Sequence, residues 1–172
     1  MENLENNEKT ENVLEPNFEV DTKDFSKYWQ YLINRQNLLL GIITSLIISV
    51  LSLIIWTLII KFSGYKVGWM ALVASFGIAF TFKHFGKGIT PVFGIVAGAI
   101  AFFTWIIGNF LTATLIFSKI KNISFFNLIS KMDINSFFTF LGAIIGPVDF
   151  IIGMAAIFTA YYFGYIKVSP PQ

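Results

Sequence analysis

The sequence predicts an all-α fold, a polytopic membrane protein with four transmembrane helices plus one or two interfacial amphipathic helices. Three observations carry this. The chain is 55% hydrophobic, with a mean hydropathy of +0.69. Only 13% of its residues are charged, about half the share usual in a soluble domain. The charges are also segregated: residues 1–24 hold eight acids against Lys9 and Lys23, a net of −6, while the remainder holds ten Lys/Arg against Asp133 and Asp149, a net of +8. An acidic, solvated tail is thus joined to a mildly basic membrane domain.

That basic balance suits anionic lipid headgroups, not nucleic acid, because no basic stripe with interleaved aromatics lies outside the apolar runs. The absence of cysteine removes disulfides, thiolate metal sites and thiol catalysis, and a lone histidine, His84, cannot build a metal site from imidazoles. No cofactor or metal is predicted. The acidic N-terminus does not read as a secretory leader, since the first apolar run starts near Leu38 and is too long for one.

Residues 1–20, rich in Glu and Asn, cannot bury enough apolar surface to offset the entropy of ordering, and are expected to be a disordered tail. Residues 21–36 place Phe25, Tyr28, Trp29 and Leu32 at helical spacing, with Asp21, Thr22 or Asp24 as a cap. Aromatics beside Lys23, Lys27 and Arg35 predict a helix lying at headgroup depth.

Residues 37–168 form the membrane domain, with spans expected at about 38–60, 67–83, 91–117 and 148–166. The first span is about 34 Å long at 1.5 Å per residue, enough to cross ~30 Å of hydrocarbon with tilt. Its Gly41, Ser45 and Ser49 share one face, and Trp56 and Lys61 are read as marking the far interface. Gly64 ends it. The second span is short and carries a small-residue stripe, Ala71, Ser75 and Ala79. A basic turn, Lys83-His84-Phe85-Gly86-Lys87-Gly88, leads to Thr90-Pro91, an N-cap and first-turn pair for the third span. That span holds Gly94 and Gly98 in a GxxxG pattern and Asn109 as its main polar group at depth.

Residues 123–146 read as interfacial. Phe125, Leu128, Ile129 and Met132 repeat the helical spacing over 124–132, and residues 137–145 form a re-entrant or surface segment. A single helix over 137–166 would be about 45 Å long, half as long again as the hydrocarbon. Gly146-Pro147 offers the break, so the fourth span begins just after it.

Four spans place both termini on one side, with seven basic residues there against five opposite. The bias and the basic flank of the first span put both termini in the cytoplasm. The stretch Gly64-Tyr65, Val67-Gly68, Met70-Ala71, Gly86-Lys87-Gly88, Gly94, Gly98 and Gly108-Asn109 resembles a family of uncharacterised small bacterial inner-membrane proteins with four helices. Asp149-Phe150 before a span is similar too. The resemblance covers about a third of the chain and departs at Lys83-His84. It implies the architecture and a bacterial inner-membrane location, and no activity.

Two polar residues are candidates for intramembrane chemistry. Asp149 either binds a proton or cation, or hydrogen-bonds Asn109, deep in a span, or it sits in the first turn of the last helix where free N–H groups favour a carboxylate. Asn109 is either a ligand or glue between helices. Lys83, His84 and Lys87 are candidates for a lipid-headgroup or phosphate site, or simply a positive-inside turn. Gly86-Lys87-Gly88 is not a phosphate-binding Walker loop, because no Ser or Thr follows Lys87. No nucleophile–base arrangement occurs, and a non-enzymatic protein is expected. The first functional expectation is an accessory or assembly subunit that binds membrane lipids and other membrane proteins. The alternative is a small homo-oligomeric channel or proton-coupled transporter using Asp149.

Overall fold

The computed structural model describes residues 22–167, and every regular element there is helical. Helix α1 spans Thr22–Asn34, α2 spans Leu38–Ser63, and α3 spans Met70–Thr81 before winding into a π-helical turn, Phe82–Gly86. Then follow α4 (Pro91–Lys121), α5 (Phe125–Ser130), α6 (Ile134–Ile144) and α7 (Pro147–Phe163). The acidic tail expected over 1–20, and the side chains proposed to cap α1, lie outside the described residues.

The 26-residue α2 and the 31-residue α4 are long and apolar enough to cross a membrane. Helices α6 and α7 are bent by 99° at Gly146-Pro147 and count as a third crossing if the pair is one broken span. Met70–Gly86 is a shorter apolar helix. The chain is therefore a membrane-embedded α-helical protein.

Several boundaries differ from those the sequence suggests, each for a local reason. Helix α2 runs on to Ser63, where Gly64 takes a left-handed conformation (φ 75°) and its N–H closes on the Ile60 carbonyl at 2.9 Å. Only glycine enters that conformation without strain. Residues 67–69 form a turn, so α3 starts at Met70 and not at 67. Helix α4 continues past 117 to Lys121 and stops at Asn122, also left-handed. Thr90 is its N-cap and Pro91 its first residue, but the Thr90 hydroxyl faces Gln36 Oε1 at 3.5 Å and does not cap.

The interfacial helix expected over 124–132 is only the six residues of α5. The next segment begins at Ile134, before the expected 137, because Asp133 Oδ1 accepts the Ser136 N–H at 2.9 Å and starts α6 there. Helix α7 ends at Phe163, short of 166, where the chain turns so that the Ile166 N–H reaches the Gly88 carbonyl at 2.8 Å.

Helix α4 is central, packing on α2, α3, α6 and α7. One core layer joins Trp56, Ile60, Met70, Trp105, Leu115 and Ala156, and a second joins Ile78, Phe82, Phe93, Ala97, Ala101 and Ala160. Lipid is as apolar as these side chains, so close packing and not water exclusion must hold the helices together. Large rings accordingly rest on bare backbone. A Cβ added at Gly108 would lie 2.4 Å from the Trp56 ring, and one at Gly153 would lie 2.4 Å from Trp105. Trp56, read from sequence as an interfacial marker, is thus a core residue, only 2% exposed.

The outward flank of α2, including Leu39, Ile43, Ile47, Val50 and Ile54, is exposed, as a lipid-facing surface would be. Helix α6 lies along α4 through two aromatic pairs, Phe110–Phe137 at 4.7 Å and Phe117–Phe140 at 5.0 Å between ring centroids.

Candidate functional site

Polar chemistry gathers at three levels of this bundle. At one end, Pro147 starts α7 and places Asp149 in its first turn. The carboxylate accepts the Gly146 N–H at 3.0 Å, which satisfies a donor the helix start would otherwise leave free. It is also 2.5 Å from Lys66 Nζ, and the same ammonium donates to the Ile144 carbonyl at the end of α6. One lysine therefore ties the carbonyl end of α6 to the amide end of α7, across the 99° bend. The pair is largely shielded, with side chains 26% and 15% exposed. Gly68 lets the chain pass close by, since a Cβ there would lie 3.0 Å from Asp149 Oδ1. Lys66 is a partner that sequence reasoning missed, because a residue 83 positions away leaves no periodic signal.

In mid-bundle, Asn109 is 1% exposed. Its Nδ2 donates to the Trp105 carbonyl of its own helix at 3.0 Å, so it bridges neither to Asp149 nor to another helix. Asn109 Oδ1 and Trp56 Nε1 are buried without a hydrogen-bond partner. Polar bonds between helices are instead Ser49–Thr104, 2.6 Å between hydroxyl oxygens, and Ser45 Oγ donating to the Ile78 carbonyl at 3.5 Å. Ser49 stands on the small-residue face expected of α2. Thr104 carried no sequence signal, since a threonine in an apolar helix ordinarily bonds its own i−4 carbonyl, as Thr104 also does with Ile100 at 2.7 Å.

At the opposite end, the π-helical turn carries Lys83 and His84, and Lys87 follows in a left-handed conformation. The turn is held from both sides: the Asn37 N–H bonds the Gly86 carbonyl at 3.0 Å and the Ile166 N–H bonds the Gly88 carbonyl. Helix α1 lies over it. Between them is a cleft of about 670 Å³ whose walls include Tyr28 and Tyr31 from α1, Arg35 just beyond its end, and Lys83, His84 and Lys87 from the turn. Arg35 sits over the Tyr31 ring at 4.8 Å, and His84 stacks on Phe80 with 6° between planes. The structure thus adds Arg35, Tyr28 and Tyr31 to the three basic residues found in the sequence.

The packing residues are internal. Ala71, Ser75 and Ala79 are buried on α3. Gly94 seats α7, for a Cβ there would meet the Tyr161 carbonyl at 2.6 Å, and Gly98 faces Ile157 at 3.6 Å. Beside them an apolar groove of about 430 Å³ opens between α4 and α7, lined by Ala99, Phe102, Met154 and Phe158 among others.

Fold and polar groups together define a membrane-embedded all-α protein in which, among the described residues, no His/Cys/Asp/Glu group could hold a metal. Comparison with family models, curated proteins and solved structures finds no match to the chain.

Proposed function

We propose that the chain is a non-enzymatic accessory or assembly subunit of a bacterial inner membrane, crossing it four times with both termini in the cytoplasm. The observation that supports this reading is the apolar groove of about 430 Å³ between α4 and α7, to which we assign a side chain or helix of a second membrane protein. Four crossings are supported by how the ends meet. The starts of α2 and α4 and the ends of α3 and α7 gather at the turn 82–88. At the other end Lys119 Nζ donates to the Lys61 carbonyl at 2.7 Å and Lys66 meets Asp149. The bacterial inner-membrane location is part of this proposal and rests on the resemblance read from residues 64–109 of the sequence.

The transporter alternative needs Asp149 free to exchange a proton or cation, and the engagement of its carboxylate by Lys66 and Gly146 weighs against that. The test is purification in mild detergent after cross-linking. A stoichiometric foreign membrane protein with the wild type, lost with Ala99→Trp in the groove wall, is the expected result. Purification of a homo-oligomer alone, with ion or proton flux in proteoliposomes abolished by Asp149→Asn, would overturn the reading in favour of transport.

A further inference from the structure

We infer that the cleft between α1 and the π-helical turn binds a phosphate-bearing anion, presented as the headgroup of an anionic phospholipid. Its polar wall combines Arg35 from one segment with Lys83 and Lys87 from another about fifty residues away. Among the described residues no carboxylate lines the cleft and none forms an ion pair with these three cations. Three cations thus line one cleft with no described carboxylate among them, a field of one sign that attracts an anion.

The geometry favours phosphate. The guanidinium lies over the Tyr31 ring at 4.8 Å, and its fork of donors matches two phosphate oxygens. The lysines add point charge, and the lining residues Tyr28 and Tyr31 each carry a hydroxyl donor. Two backbone bonds, Asn37–Gly86 and Ile166–Gly88, hold the C-terminal end of the turn. π-Helical turns of this kind cluster at functional sites. The size, about 670 Å³, is in the usual range for a small-molecule site.

The rest of the lining favours a lipid over a free anion. Leu32, Phe80, Ile89 and Ile166 are apolar, and Phe80, on α3, is 63% exposed. A phosphate among the cations would let an acyl chain run down past Phe80 along the bundle. The cleft also stands at headgroup depth, since α2 begins at Leu38, three residues beyond Arg35.

The experiment is native mass spectrometry of the full-length chain in neutral detergent, titrated with phosphatidylglycerol or phosphatidylcholine, with and without inorganic phosphate as competitor. Expected is at least tenfold preferential retention of phosphatidylglycerol, lost in Arg35→Gln/Lys83→Gln/Lys87→Gln. It should be kept in Lys83→Arg/Lys87→Arg and in Lys119→Gln/Lys121→Gln, where the lost charge is at the far end. Thermal unfolding of each variant verifies that it folds, and Arg35→Glu alone replaces the triple variant if that one does not. Binding of inorganic phosphate with no preference between the lipids, abolished by the same variants, keeps the anion site and overturns the lipid as its source. Equal retention of both lipids with no phosphate binding, or a preference that survives the triple variant, overturns the inference.

Discussion

Lys66 Nζ and Asp149 Oδ2 meet at 2.5 Å across 83 residues of chain, at the point where α6 turns through 99° into α7. The contact orders three things at once: the loop after α2, the last carbonyls of α6 and the first amides of α7. Lys66→Met strips the carboxylate of its cation, and Asp149→Asn leaves the ammonium unpaired. Each is expected to lower stability in detergent by about 1–3 kcal/mol, below the 3–5 kcal/mol of a fully buried pair because both groups keep some water. The exchange Lys66→Asp/Asp149→Lys should recover only part of this. A lysine at 149 opposes the helix dipole and cannot accept the Gly146 N–H. Thermal unfolding of the wild type, Lys66→Met, Asp149→Asn and the double variant Lys66→Met/Asp149→Asn gives the coupling; independent, additive effects would deny it.

The aromatic-on-glycine contacts predict a sharp contrast among glycines. Gly108→Val and Gly153→Val push a side chain into Trp56 and Trp105, and each should cost about 1–3 kcal/mol or more, seen as lost monodispersity in gel filtration. At Gly142 nothing lies within 4 Å of a new Cβ. Gly142→Ala in the last turn of α6 should therefore stabilise modestly, by up to about 0.5 kcal/mol from helix propensity.

Asn109 is a buried amide with one atom left unpaired. Leucine is close to it in volume and carries no such atom. Replacing a half-satisfied polar group by an apolar one of similar shape is near neutral or favourable. Asn109→Leu should therefore leave the midpoint of thermal unfolding unchanged or raised. A loss of more than about 1 kcal/mol would mean that Oδ1 has a partner in the membrane, such as a bound water.

Asp133 links pH to the start of α6. Hydrogen bonds from the Ser136 side chain and backbone N–H hold its carboxyl below the usual carboxylate range. A depressed folded value means the cap is fully present above the unfolded value, about 3.9. It is lost as pH falls through the lower folded value. Asp133→Asn, which caps without a charge, should thus differ from the wild type near neutral pH, and the difference should shrink as acid is added. Amide exchange over residues 134–144 at two pH values measures it.

Four crossings can be counted chemically because the chain has no cysteine. Single cysteines at Lys87 and Lys167 should react with an impermeant reagent only once cells are opened. Those at Lys61 and Lys121 should react in intact cells. Labelling of Lys87 and Lys61 variants from the same side would remove the short α3 helix from the membrane.

The sequence by itself determined the membrane class, the long apolar helices α2 and α4, and the breaks at Gly64 and Gly146-Pro147. These are local properties: uncharged run length, composition, and the backbone limits of glycine and proline. It also singled out the basic turn at 83–87 and Asp149 as polar exceptions. Only the tertiary structure decided what those exceptions touch. Lys66 reaches Asp149, Arg35 joins Lys83 and Lys87, Trp56 turns inward onto Gly108, and Thr104 pairs with Ser49. Each of these joins residues dozens of positions apart, where no period along one helix can register the pairing. Small-residue stripes mark the packing faces of α2 and α3 in the sequence, but which partner each face meets is settled by shape when the helices come together.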